Sequence, residues 1–214
     1  TILLLALLLV LGVGLYQGKV TKAFQASSAS IAAVDRKVPV PDQMAVLGFA
    51  PLDDLNDPDR VQLLEAIANK YESIASEATH APAAEALIKA GDVWQRLESS
   101  DKAQSAYAAA IVAFDEGIYG YTAKNALANA RLSAGDAAGA AELYREISTT
   151  EQGYLGERGH ADLSAALEAA GQTQESIDSW RSFGTRYPDS LLADDATAAL
   201  KRLGSANAAT PAGE

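Results

Sequence analysis

Residues 87–110 read LIKAGDVWQRLESSDKAQSAYAAA, and their spacing decides the fold. Leu87, Gly91 and Trp94 fall on one face of a helix, and Ala103, Tyr107 and Ala110 fall on one face of a second. Between them Glu98-Ser99-Ser100-Asp101 is polar and suits a tight turn. The small residues allow two paired helices to approach, while the aromatic side chains fill the groove against the next pair.

The pattern recurs downstream. A second copy has the turn Ala134-Gly135-Asp136 followed by Ala140, Tyr144 and Ile147, and a third has Ala170-Gly171-Gln172 followed by Ser176, Trp180, Phe183 and Tyr187-Pro188. Aligned on the small residue of the second helix, 140 minus 103 is 37 and 176 minus 140 is 36. This self-similarity resembles the tetratricopeptide (TPR) pattern, whose unit is about 34 residues, and slightly long inter-repeat loops would account for the excess. The first helices of the second and third copies depart from the family pattern at Arg131, Ser164 and Leu167.

The resemblance covers residues 82–188 and extends to 59–203. It implies an all-α fold, a TPR-like α-solenoid of antiparallel helix pairs, in which no repeat buries its apolar face alone. Upstream, Leu64, Ile67, Tyr71, Ile74 and Ala75 recur at helical spacing within residues 61–78, as the second helix of a degenerate first repeat or as a capping helix. Downstream, Asp189 and Ser190 suit the cap of a last helix, 191–203, that covers the open end. Trp94, Tyr107, Tyr144 and Trp180 are expected in the core.

Composition agrees with a helical class and narrows the functions available. Of 214 residues 49% are hydrophobic but only 7% aromatic, so one domain with appendages is packed mainly with Ala and Leu, both strong helix formers. A formal net charge of -11 leaves no basic stripe to neutralise phosphates, which disfavours nucleic acid as a partner. Without cysteine there is no disulfide, thiolate metal site, covalently attached c-type haem or lipidated N-terminal cysteine.

The N-terminal part reads differently from the rest. Residues 2–15 carry no charged or polar side chain, and with Thr1, Tyr16 and Gln17 they would form a helix of roughly 25 Å, marginal for a bilayer. A retained transmembrane anchor over residues 1–18 is expected in preference to a cleaved signal peptide. The chain begins at Thr1 rather than Met, and further residues before it would lengthen the span. Gly12 and Gly14 are candidates for close packing of a neighbouring membrane helix, although their spacing is not Gly-x-x-x-Gly. Lys19, Lys22, Arg36 and Lys37 follow the anchor and conflict with a domain outside the cytoplasm, because basic flanks usually stay inside.

Residues 19–37 continue the anchor as a helical extension, and residues 38–58, with Pro39, Pro41, Pro51 and Pro58, read as a proline-rich linker. The repeat domain is assigned to 59–203, with Asp57 as N-cap, Pro58 in the first helical position and Asp59 at the positive helix end. Asp53, Asp54, Asp57 and Asp59 lack the glycine and ligand order of a calcium loop and read as caps and solvated carboxylates. Residues 204–214 offer nothing bulky to bury and are expected to be a disordered tail.

No set of residues converges on catalysis. His80 and His160 have no metal-ligand spacing, and there is no nucleophile elbow, phosphate loop or dinucleotide fingerprint, so no enzyme activity, cofactor or metal is expected. Binding in such repeats usually uses the first helix of each pair. The pattern places Glu85, Asp92, Gln95 and Arg96, then Asn125 and Asn129, then Arg158 and Glu168 on that concave face. The family's clamp for a C-terminal carboxylate is not formed, since Ile88 and Asp92 stand where its groups would be needed. Tyr119, Tyr121 and Tyr154 are placed in the long inter-repeat loops, serving either inter-repeat packing or an interface.

In layout the chain resembles bacterial envelope proteins with one N-terminal membrane anchor and a TPR-like domain, including the ancillary subunit of the Sec translocon. The resemblance implies a scaffold or adaptor, an accessory subunit of a membrane complex, with its domain periplasmic or extracellular. The expected partners are other proteins, with the membrane reached through the N-terminal helix and no nucleic acid. The alternative is a structural subunit that self-associates through that helix, although Leu5 stands where a pilin-type filament subunit carries glutamate.

Overall fold

The computed structural model describes residues 2–36 and 57–209, with side chains from 19 to 36 and from 57 to 204. Among the described residues there are helices and no strand: α1 (Ile2–Asp35), α2 (Pro58–Glu77), α3 (Ala81–Arg96), α4 (Ser100–Ala113), α5 (Gly117–Ser133), α6 (Ala137–Thr150), α7 (Gly153–Ala169), α8 (Thr173–Arg186) and α9 (Ala193–Ala209). They form two compact units, Thr1–Asp115 with α1 to α4 and Glu116–Glu214 with α5 to α9.

In the first unit α2 starts as its sequence dictates. The Asp57 carboxylate accepts the Asp59 amide at 3.1 Å, satisfying one of the free donors at the helix start, and Pro58 occupies a position that needs no N–H. Leu64, Ile67, Tyr71 and Ile74 share the buried face of α2 and pack against α3. Between α3 and α4, Gly91 lies flat against the Tyr107 ring, where a Cβ would collide with it. The Trp94 indole N–H donates to Glu72 at 2.7 Å and ties α3 back to α2.

The second unit repeats the arrangement with two apolar cores. Ala128, Ala140, Tyr144, Ile147, Leu163 and Leu167 close the first, between α5, α6 and α7. Ile177, Trp180, Phe183, Ala196, Ala199 and Leu203 close the second, so α9 covers the last pair as a capping helix should. The four aromatic residues expected in the core are there, each at most 6% exposed.

Two expectations are corrected. Tyr119, Tyr121 and Tyr154 are in helices rather than loops, because the connections 114–116 and 151–152 are short. Gly117 and Gly153, at φ +56° and +59°, turn the chain straight into α5 and α7. The extra repeat length therefore lies in those first helices, which have 17 residues each. The last helix also runs on to Ala209, so part of the expected tail is helical.

The N-terminal helix is continuous from Ile2 to Asp35. Among the described residues no helix is long and apolar enough to cross a membrane. The side chains of the proposed anchor, residues 1–18 with Gly12 and Gly14, lie outside the described residues, as do residues 38–56 of the expected linker, whose last two residues, Asp57 and Pro58, cap and open α2 instead.

Candidate protein-binding surface

The polar residues assigned to the first helices divide into those the fold itself uses and those left facing out. In the first unit Asp92 accepts the Tyr107 hydroxyl at 2.8 Å, holding together the two helices of one pair. Burial, with the Asp92 charge beside it, raises the Tyr107 phenol and keeps it a hydrogen-bond donor. Gln95 is exposed, while Glu85 and Arg96 are half-buried. Behind this helix, between α2 and α4, lies a groove of about 550 Å³ lined by Asn69, Glu72, Leu87, Trp94 and Lys102, with the Lys102 ammonium 3.9 Å from the Trp94 ring centroid.

In the second unit Asn129 accepts the Tyr144 hydroxyl at 3.0 Å, reproducing the tie between Asp92 and Tyr107, and its own amide donates to the Asn125 carbonyl at 2.9 Å. Glu168 is held by Arg202 of the capping helix, with one oxygen at 2.8 Å from the second guanidinium nitrogen. Arg202 and Glu168 thus fasten α9 to α7. The guanidinium is what holds the Glu168 carboxyl below its usual range.

What remains outward on α5 and α7 is an aromatic and guanidinium patch. Tyr154 is 65% exposed, and one turn on Arg158 pairs with Asp162 at 2.9 Å. Tyr121 of α5 packs half-buried against the core beside them. Burial raises its phenol most, the Asp162 charge adds to this, and the Arg158 charge opposes it. Tyrosine and arginine on ordered helices are the side chains most often found as interface anchors. Ile118, 59% exposed at the start of α5, extends the apolar part of this unit's surface.

The sequence reading thus named Tyr121, Tyr154 and Arg158 separately, as loop and groove residues, while the structure brings them together on helices. It missed Asp162, which positions Arg158, and Lys124, which is only 6% exposed and paired with Glu146 at 2.6 Å. Lys124 could have been found by register, because it occupies the position that Leu87 holds in the preceding copy and His160 in the next.

The histidines stay apart. His80 caps α3 in a strained conformation at φ 58°, edge-on to Phe114. His160 is buried against Phe183 and Tyr187, and its Nδ1 has no hydrogen-bond partner. Among the described residues no three His, Asp or Glu side chains come together in a group that could hold a metal ion.

Neither a protein-family model nor a curated protein matches the chain. Solved structures do. The nearly identical TPR-like repeats of a kinesin light chain from Podosopora anserina are similar to it at a TM-score of 0.55 and 14% identity, over 80% of this chain and 90% of that one. The Q17M form of the same repeats matches over 78% and 88%, with the same score and identity. BtubC (BKLC) from P. vanneervenii is similar at a TM-score of 0.43 and 13% identity, over 91% and 94%. At 14% identity the likeness to the Podosopora repeats is one of fold, a TPR-like stacking of helix pairs.

Proposed function

We propose that this chain is a membrane-anchored TPR-like scaffold that holds other proteins, as an accessory subunit of a membrane or envelope complex. A TPR-like repeat fold suits a protein-interaction scaffold. The single observation that carries the reading here is the patch of Tyr154, Arg158 and Tyr121, an exposed aromatic beside an ion-paired guanidinium on packed helices. Ordered anchors of this kind lose little side-chain entropy when a partner covers them.

The anchor is inferred from the apolar run of residues 2–15, carried on the same helix as the first unit. The net charge of -11 is suited to a solvated domain beside a membrane, and a periplasmic or extracellular side is the reading that the envelope resemblance supports. Self-association through α1 is the second reading, favoured by Val20 and Phe24, which are 43% and 50% exposed beyond the buried turns of that helix.

Membrane fractionation of the full chain beside a form lacking residues 1–18 tests the anchor. The full chain is expected in the membrane pellet after alkaline extraction and the shortened one in the supernatant. Protease added to intact cells or to spheroplasts should reach the repeat domain. A full-length chain extracted by alkali would overturn the anchor, and a domain protected in spheroplasts would reverse the sidedness.

A further inference from the structure

The four second-helix aromatics stand in register: 107 minus 71 is 36, 144 minus 107 is 37 and 180 minus 144 is 36. Tyr107 donates to Asp92 and Tyr144 to Asn129, in each case a residue 15 positions upstream on the first helix of the same pair. Tyr71 makes the same bond, but to Asp35 on α1, 36 positions upstream, at 2.6 Å.

The correspondence extends along the helix. Ile31, Val34 and Asp35 repeat the spacing of Ile88, Gly91 and Asp92, and Ile31 and Val34 are buried at 1% and 7% exposure. The second Asp35 oxygen pairs with Lys89 of α3 at 3.1 Å. The last turns of α1 therefore contact both α2 and α3, and through Tyr71 and Asp35 they meet α2 as the first helix of a pair meets its partner.

We infer that α1 is the first helix of a helix pair completed by α2, with residues 36–57 inserted as the connection between them, so that the apolar N-terminal helix and the first repeat unit form one rigid body. The route from residues 2–15 to the repeats then runs through packing at Ile31, Val34 and Asp35 rather than through the proline-rich segment. A membrane holding the first half of α1 would set the orientation of this unit directly. That consequence rests on the anchored reading proposed above, whereas the packing does not.

The chain has no cysteine, so Ala29→Cys and Ser73→Cys, both at exposed sites, can carry spin labels specifically. Distances between the labels are measured by pulsed electron resonance on the full chain in detergent. One narrow distribution is expected, and it should stay narrow and unshifted when about ten Gly-Ser residues are inserted between 37 and 56, since lengthening such a connection changes closure entropy little. Val34→Asp, which puts a charge into the contact, should broaden it. If that variant does not fold, Asp35→Ala serves, because its carboxylate is partly exposed. A broad distribution in the unmodified chain, or one that broadens with the insertion, overturns the inference and leaves α1 a tethered stalk. Alkaline extraction reads the anchor separately, so either result can fail alone.

Discussion

The Tyr107 hydroxyl donates to the Asp92 carboxylate at 2.8 Å, with Gly91 giving the ring the room to reach it. Removing either side of this arrangement has unequal effects. Tyr107→Phe leaves Asp92 free to meet solvent and should cost about 1 kcal/mol, whereas Asp92→Ala strands a part-buried hydroxyl and should cost about 1–3 kcal/mol. Gly91→Ala forces the ring out of its slot, an overpacking change worth roughly 1–3 kcal/mol. Urea unfolding of the three variants tests the order, with Tyr107→Phe the mildest.

Glu98 occupies a left-handed conformation at φ 54°, in the turn position that Gly135 and Gly171 hold in the later copies at φ 85° and 74°. A side chain there is strained by about 1–2 kcal/mol, part of which glycine returns as entropy of the unfolded chain. Glu98→Gly is therefore expected to stabilise the first unit by about 0.5–1 kcal/mol, read as a raised thermal midpoint. Ala at the same position should give no gain.

His160 carries the pH dependence. Burial lowers its pKa below 6.5, and the nearby Arg186 charge adds to this, while a hydrogen bond to the Ser179 backbone works the other way. With the folded value below the unfolded one, the unfolded chain takes up the proton first as pH falls. Stability is then full above about 6.5 and declines as pH drops from there towards the lowered folded value. His160→Leu, matching the apolar Leu87 in register, should flatten the unfolding midpoint between pH 7 and 5.

The repeats were legible because packing wrote them at fixed spacing: Gly91 against Tyr107, and Ala140 beside Tyr144, need small and aromatic residues where they stand. Helix boundaries were less so. Gly117, Gly153 and the tyrosines near them carry turn-like chemistry, yet left-handed glycines can open a helix as readily as a loop, and that placed Tyr154 wrongly. The polar face was the least legible. Asp92, Asn129 and Glu168 look alike as outward polar residues until their partners Tyr107, Tyr144 and Arg202 are known, and those lie 15, 15 and 34 positions away. Asp35 was harder still, because its partner Tyr71 is reached across a proline-rich segment that reads as a boundary.

The scaffold reading turns on Tyr154 and Arg158. Both side chains are outward, so Tyr154→Ala with Arg158→Ala should leave the helical fold intact and change the unfolding midpoint little, since the exposed pair of Arg158 with Asp162 contributes about 1 kcal/mol at most. Purifying the full chain from its native membrane in mild detergent, beside this double variant, and quantifying co-purifying proteins by mass spectrometry is the most direct measurement. Foreign subunits are expected in stoichiometric amounts with the unmodified chain and several-fold depleted with the variant. Recovery of the chain alone or only with copies of itself, or an unchanged set of partners with the variant, would contradict the account.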